Sequence, residues 1–144
     1  MDMGSIFNIA GSGMNAQSVR LNTTASNLAN ADSASSSTDT TYKSRQAVFA
    51  SIQNGLMTGS SLDDMREGGA GVQVLGIVES DAPLQARYEP NHPLANKDGY
   101  VYYPNVNVVE EMANMMSASR SYDANVEMFD TAKHMMQRVL TLGQ

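Results

Sequence analysis

The sequence predicts a mainly α chain with a small β element. It predicts an elongated molecule whose N- and C-terminal helices form a coiled-coil-like domain, with a small antiparallel β/loop insert between them. Three observations carry this. From Asn105 to Leu142 there is neither proline nor glycine, so nothing interrupts a long helix. Phe7, Met14, Leu21 and Leu28 recur every seven residues near the N-terminus. Between these stretches the chain turns rich in Ser, Thr, Asp and Gly, with one β-branched alternating run, Val72 to Ser80.

The first helix is expected from about Ser5 to Asn30, within an N-terminal division 1–32. Its apolar row is flanked by a small or polar row at Ala10, Gln17, Thr24 and Ala31, a one-sided heptad. Gly11 and Gly13 each weaken a helix by roughly 1 kcal/mol relative to alanine. Thr23 and Thr24 are β-branched and add little helix propensity. Alone, this helix is marginal.

Residues 33–70 read as an extended loop region. "ADSASSSTDTT" has little to bury and reads as a mobile loop. "YKSRQAVFASIQ" is open between a strand and a short helix, and "NGLMTGSSLDDMREGGAG" is again loop-like. Residues 71–104 read as a small β-hairpin element. Val72 to Ser80 alternates as a strand does, and "LQARYEP" offers a hairpin partner across Asp81-Ala82-Pro83. A turn at Lys97-Asp98-Gly99 leads into a short extended run ending at Pro104. A hairpin this small needs a helix to pack on.

The last division, 105–144, is the long helix. Asn107 is placed to cap it, with Glu110 three residues on as in a capping box. Glu110 and Glu111 favour the positive helix start. Val108, Met112, Met115, Ser119, Tyr122, Val126, Phe129, Lys133, Met136 and Leu140 then follow alternating steps of four and three. A second flank carries Val109, Ala113, Met116, Ala124, Ala132 and Val139, so the apolar face is wider than a two-stranded seam requires. At 1.5 Å per residue the helix is about 50 Å long. A compact chain of this length is only about 37 Å across, so the helix is expected to overhang. The shorter N-terminal helix, about 38 Å on the same rise, is its natural partner and cannot cover the whole face. Exposed apolar faces of this kind mark association sites.

Composition narrows the chemistry. The chain has 144 residues, 42% hydrophobic and 17% charged, with net charge −6. That is a globular balance without the basic patch of a nucleic-acid binder. There is no cysteine, hence no disulfide or thiolate metal site. No apolar run is long enough to cross a bilayer, so no membrane insertion is expected. "MDMGSIFNIAGSG" lacks the basic start of a cleaved signal. His134 has Asp130 one turn earlier, which a surface ion pair explains, and His92 sits in "PNHP" without partners. Asp63-Asp64 and Glu110-Glu111 are adjacent pairs that point apart. "NKDG" has too few acids for a calcium loop, and "GGAGVQ" lacks the Lys-Ser/Thr of a phosphate loop. No enzyme, metal site or cofactor is expected. Two functional classes remain: a subunit of an extended assembly, or a small helical adaptor or export-chaperone module forming closed dimers.

Two blocks carry a resemblance. "GSGMNAQSVRLNTTASNLANADS" (11–33), centred on Ala25-Ser26-Asn27-Leu28-Ala29-Asn30, resembles the N-terminal signature of the flagellar axial proteins. Residues 92–144, with "GYVYYPNVNVVEEM" and "SASRSYDANVEMF", are similar to the C-terminal half of basal-body rod proteins of the proximal-rod type. Together they cover about half the chain. The resemblance implies a non-enzymatic subunit of a helical tube that transmits torque from motor to hook, with the terminal helices as the tube's inner coiled-coil domain. It implies export without a cleaved signal through the flagellar type III export apparatus, and assembly in the periplasm. The partners it implies are other rod subunits, the rod–MS-ring junction protein, the MS ring and the P-ring bushing, besides copies of itself. Its expected interface residues are Phe7, Met14, Leu21, Asn27, Leu28, Asn30, Val108, Met112, Met115, Met116, Tyr122, Val126, Phe129, Met136 and Leu140. Two features depart from the pattern. Many family members have a Thr-x-Gly-Tyr run after the Asn30 position, where this chain has a longer polar stretch. Asn91 stands where glycine is expected between Pro90 and His92; asparagine tolerates positive φ.

Overall fold

The N-terminal heptad does form a helix, α1, over Met3–Ala29. The uninterrupted C-terminal stretch forms α2, over Val108–Leu142. A computed structural model describes residues 3–52 and 71–142. Between the helices lie β1 (Arg45–Ile52), β2 (Gly71–Glu79), β3 (Gln85–Tyr88) and β4 (Tyr100–Tyr103). They make two small antiparallel sheets, β1 with β2 and β3 with β4. The loop-like stretch expected at 54–70, with Asp63, Asp64 and Arg66, lies outside the described residues.

The strand pairing differs from the expected hairpin. β2 does not pair with Gln85–Tyr88. Its partner is β1, in the stretch "YKSRQAVFASIQ" that the sequence leaves open between a strand and a short helix. Ser80 N–H donates to Ser44 C=O at 2.8 Å, and Arg45 pairs with Glu79 at 3.0 Å, which fixes the end of that ladder. The chain then turns away after β2, because Asn105 Nδ2 binds the carbonyls of Ala82 at 2.8 Å and Ser80 at 3.4 Å. β3 instead pairs with β4, Gln85 opposite Tyr103 and Tyr88 opposite Tyr100. Gly99 closes that hairpin at φ 82°, a left-handed conformation that glycine adopts freely. A Cβ there would also lie 2.8 Å from the Tyr88 ring. Asn91 needs no such conformation: no described non-glycine residue has positive φ.

The chain divides into two compact units. One is built on α1 up to Val19, β1 from Val48, β2 up to Gly76 and α2 from Ala118. Its helices run antiparallel, since Phe7 meets Phe129 and Gly13 meets Asn125. Its buried apolar residues are small: Ala10, Ala16, Ala118 and Ala132. Gly13 has a packing reason, because a Cβ there would stand 3.0 Å from the Asn125 amide. Ser12 Oγ accepts the Val72 N–H at 3.2 Å and donates to Ile9 C=O at 2.9 Å, anchoring the start of β2 on α1.

The other unit comprises Arg20–Ala47 and Ile77–Ser117. Its core holds Val101, Pro104 and Val106. Asn107 Oδ1 caps α2 by accepting from the N–H groups of Val109 and Glu110, as its type and position predict. The polar run 31–41, expected to be mobile, is instead tied down. Ser35 exchanges two backbone bonds with Tyr102, both at 2.9 Å. Thr41 is buried and donates to Ser37 C=O at 2.6 Å. The hydroxyls of this run satisfy the local backbone, which composition alone does not reveal.

Candidate assembly surface

Chemistry-bearing side chains do not converge. Among the described residues, no three His, Cys, Asp or Glu side chains come together as metal ligands would. His92 Nδ1 accepts the Leu94 N–H at 3.1 Å. Asp130 and His134 do not form the expected pair; the described residues hold one ion pair, Arg45–Glu79, since neither helical side chain closes the one-turn gap. No described helix is long and apolar enough to cross a membrane.

What the structure does build is a polar hub with apolar surface elsewhere. Asn27 is 1% exposed, and its amide is fully used. Oδ1 accepts from Arg45 N–H and from Tyr42 OH, each at 2.9 Å. Nδ2 donates to Arg45 C=O at 2.7 Å and to Glu111 Oε1 at 3.0 Å. Glu111 is itself buried, so this amide supplies a hydrogen bond to a buried carboxylate. Arg20 reinforces the same helix pair by donating to Asn114 Oδ1 at 3.0 Å. Asn30 Nδ2 closes the end of α1 on Ser26 C=O at 2.8 Å.

The other expected interface residues fall into two groups. Phe7, Met14, Leu21, Leu28, Val108, Met115, Tyr122, Val126 and Phe129 are half-buried. Phe7 and Phe129 meet edge to face at 4.8 Å between centroids. Met112, Met116, Met136 and Leu140 are exposed, Met116 at 61% and Leu140 at 66%. Met128 and Met135 are exposed on a third row that the heptad pattern does not include. Their spacing of seven residues is the signal that could have found them. Leu75, Ile77 and Val78, all exposed on β2, also lie outside the expected set. β2 thus carries exposed apolar residues on both of its faces.

Comparison with known proteins gives this surface its context. The family model "Flagella basal body rod protein" matches residues 7–34, and "Flagellar basal body rod FlgEFG protein C-terminal" matches residues 97–142. The flagellar basal-body rod protein FlgC of Escherichia coli O6:H1 is 50% identical over the whole of both chains. That of Salmonella typhimurium is also 50% identical over the whole of both. That of Borreliella burgdorferi is 34% identical over all of this chain and 99% of its own. The chain belongs to the FlgC family of flagellar basal-body rod proteins. It is a structural rod subunit of the flagellar basal body, where it associates with other basal-body components.

Proposed function

We propose that this chain packs with copies of itself and with other rod subunits into a helical tube, the proximal rod, which carries torque from motor to hook. The observation that carries this reading is the unshielded apolar surface of α2, with Met112, Met116, Met136 and Leu140 exposed. A monomer does not leave such a row open to water without cost, and contact with neighbours removes it. Contacts that do not close on themselves generate helical filaments. The expected interface then sorts into exposed contact residues and half-buried ones that hold the helix pair in shape. Asn27 acts from inside its own chain, fixing α1 against β1 and α2.

The finer assignments follow the family. The chain has no enzymatic role. It leaves the cell interior through the flagellar type III export apparatus without a cleaved signal and assembles in the periplasm. Its neighbours include the rod–MS-ring junction protein, the MS ring and the P-ring bushing. α1, with Gly11 and Gly13 in its interior, is weak enough alone to pass an export channel unfolded. The test is incorporation. Met116→Asp is expected to be exported at the wild-type level and to be missing from isolated basal bodies. Normal incorporation of that variant, or a wild-type chain that sediments only as a closed dimer, would overturn the reading.

A further inference from the structure

In the unit formed by α1 up to Val19 and α2 from Ala118, the apolar seam stops before α2 does. Phe129 packs on Phe7, and α1 begins at Met3. The next apolar seam positions are Met136 and Leu140. Every residue from Lys133 to Thr141 is exposed, about two and a half turns of helix. Val139 and Leu140 are each 66% exposed. A helix without glycine or proline does not fold back on itself, so beyond Met135 this end finds no cover among the described residues of its own copy.

The same unit carries a groove of about 530 Å³ between the helices, lined by Ile6, Ile9, Met128, Ala132 and Met135, with Glu127 at its side. Charge changes sign along this part of α2, and the groove's one charged lining residue is Glu127. Residues 121–130 carry Asp123, Glu127 and Asp130 and no basic residue. Residues 131–142 carry Lys133, Arg138 and His134 and no acidic residue. None of these groups is in an ion pair with another described residue.

We propose that the end of α2, presenting Met136, Val139 and Leu140, docks into this groove on a second copy of the chain. Apolar side chains fill an apolar slot, and the basic residues of the end, Lys133 and Arg138, are drawn to Glu127 at the side of the neighbour's groove. Opposite charge favours this pairing over contacts that bring like charges together. Each copy offers one such end and one such groove, so the contact repeats from copy to copy. The proposal rests on the assembly reading above and specifies which surfaces meet.

The absence of native cysteine allows a direct test. Two differently tagged chains are co-expressed, one Thr131→Cys at the groove and one Gln137→Cys on the helix end, and isolated basal bodies are oxidised. The expected product is a disulfide-linked species carrying both tags, reduced at least tenfold when the second chain also carries Leu140→Asp. Ala124→Cys with Thr141→Cys repeats the test should the first pair misfold. Both variants present in rods without a mixed link, or residue 137 linking only to other rod proteins, would overturn the proposal. Tagged wild-type chains that never enter rods would instead overturn the assembly reading, and the proposal with it.

Discussion

At the scale of single residues, the unit centred on Asn27 depends on one side chain that apolar periodicity does not find. Its four hydrogen bonds join α1, the entry to β1 and the first turn of α2. Asn27→Ala would leave the buried Glu111 carboxylate and the Arg45 backbone without these partners. The expected loss is about 3 kcal/mol, seen as a lower thermal midpoint of the isolated subunit. Asn27→Asp should be at least as costly, since it sets a second carboxylate against Glu111. The two interior glycines of α1, Gly11 and Gly13, predict opposite outcomes. A Cβ added at Gly11 would meet nothing within 4 Å, so Gly11→Ala should add helix stability of up to about 1 kcal/mol. Gly13→Ala must displace the Asn125 side chain from its bond to Ser121 C=O. Circular dichroism should show the first variant more helical than the second. Equal gains in both would mean that Asn125 yields without loss.

At the scale of elements, the helices are legible in the sequence and the sheet partners are not. α2 can be read because Asn105 to Leu142 lacks any breaker and Asn107 is a strong cap. α1 can be read from its apolar row despite two interior glycines, Gly11 and Gly13. β2 is also legible, since Val72 to Ser80 alternates. Its partner is not, because neighbouring strands usually pair. Here Asn105 and the Arg45–Glu79 pair decide otherwise, and both act over long sequence separations. The polar run 31–41 looks mobile in sequence for a related reason, as its order rests on hydroxyl-to-backbone bonds that leave no periodic trace. The same distinction sets a prediction for α2. Phe129→Asp removes the edge-to-face contact with Phe7 and should lower helicity of the subunit itself. Met116→Asp should leave subunit stability within about 0.5 kcal/mol while blocking incorporation. If both variants fold and assemble alike, the division of α2 into a packed seam and an outward row is wrong.

At the scale of the whole molecule, this subunit leaves Met112, Met116, Met136 and Leu140 of α2 exposed, and the rod is expected to supply the cover. Family membership is legible from two blocks at the ends of the chain, and the full-length relatives bear it out. Ordering of marginal segments costs conformational entropy that burial against neighbours offsets. Purified subunit is therefore expected to show modest helicity that rises on co-assembly. The most direct measurement is peroxide footprinting of methionine by mass spectrometry, because thioether oxidation follows exposure. Met112, Met116, Met128, Met135 and Met136 are all exposed in the single chain. They are predicted to oxidise readily in the isolated subunit and to be protected in isolated basal bodies. Equal oxidation of these methionines in both states would contradict the claim that neighbours cover them.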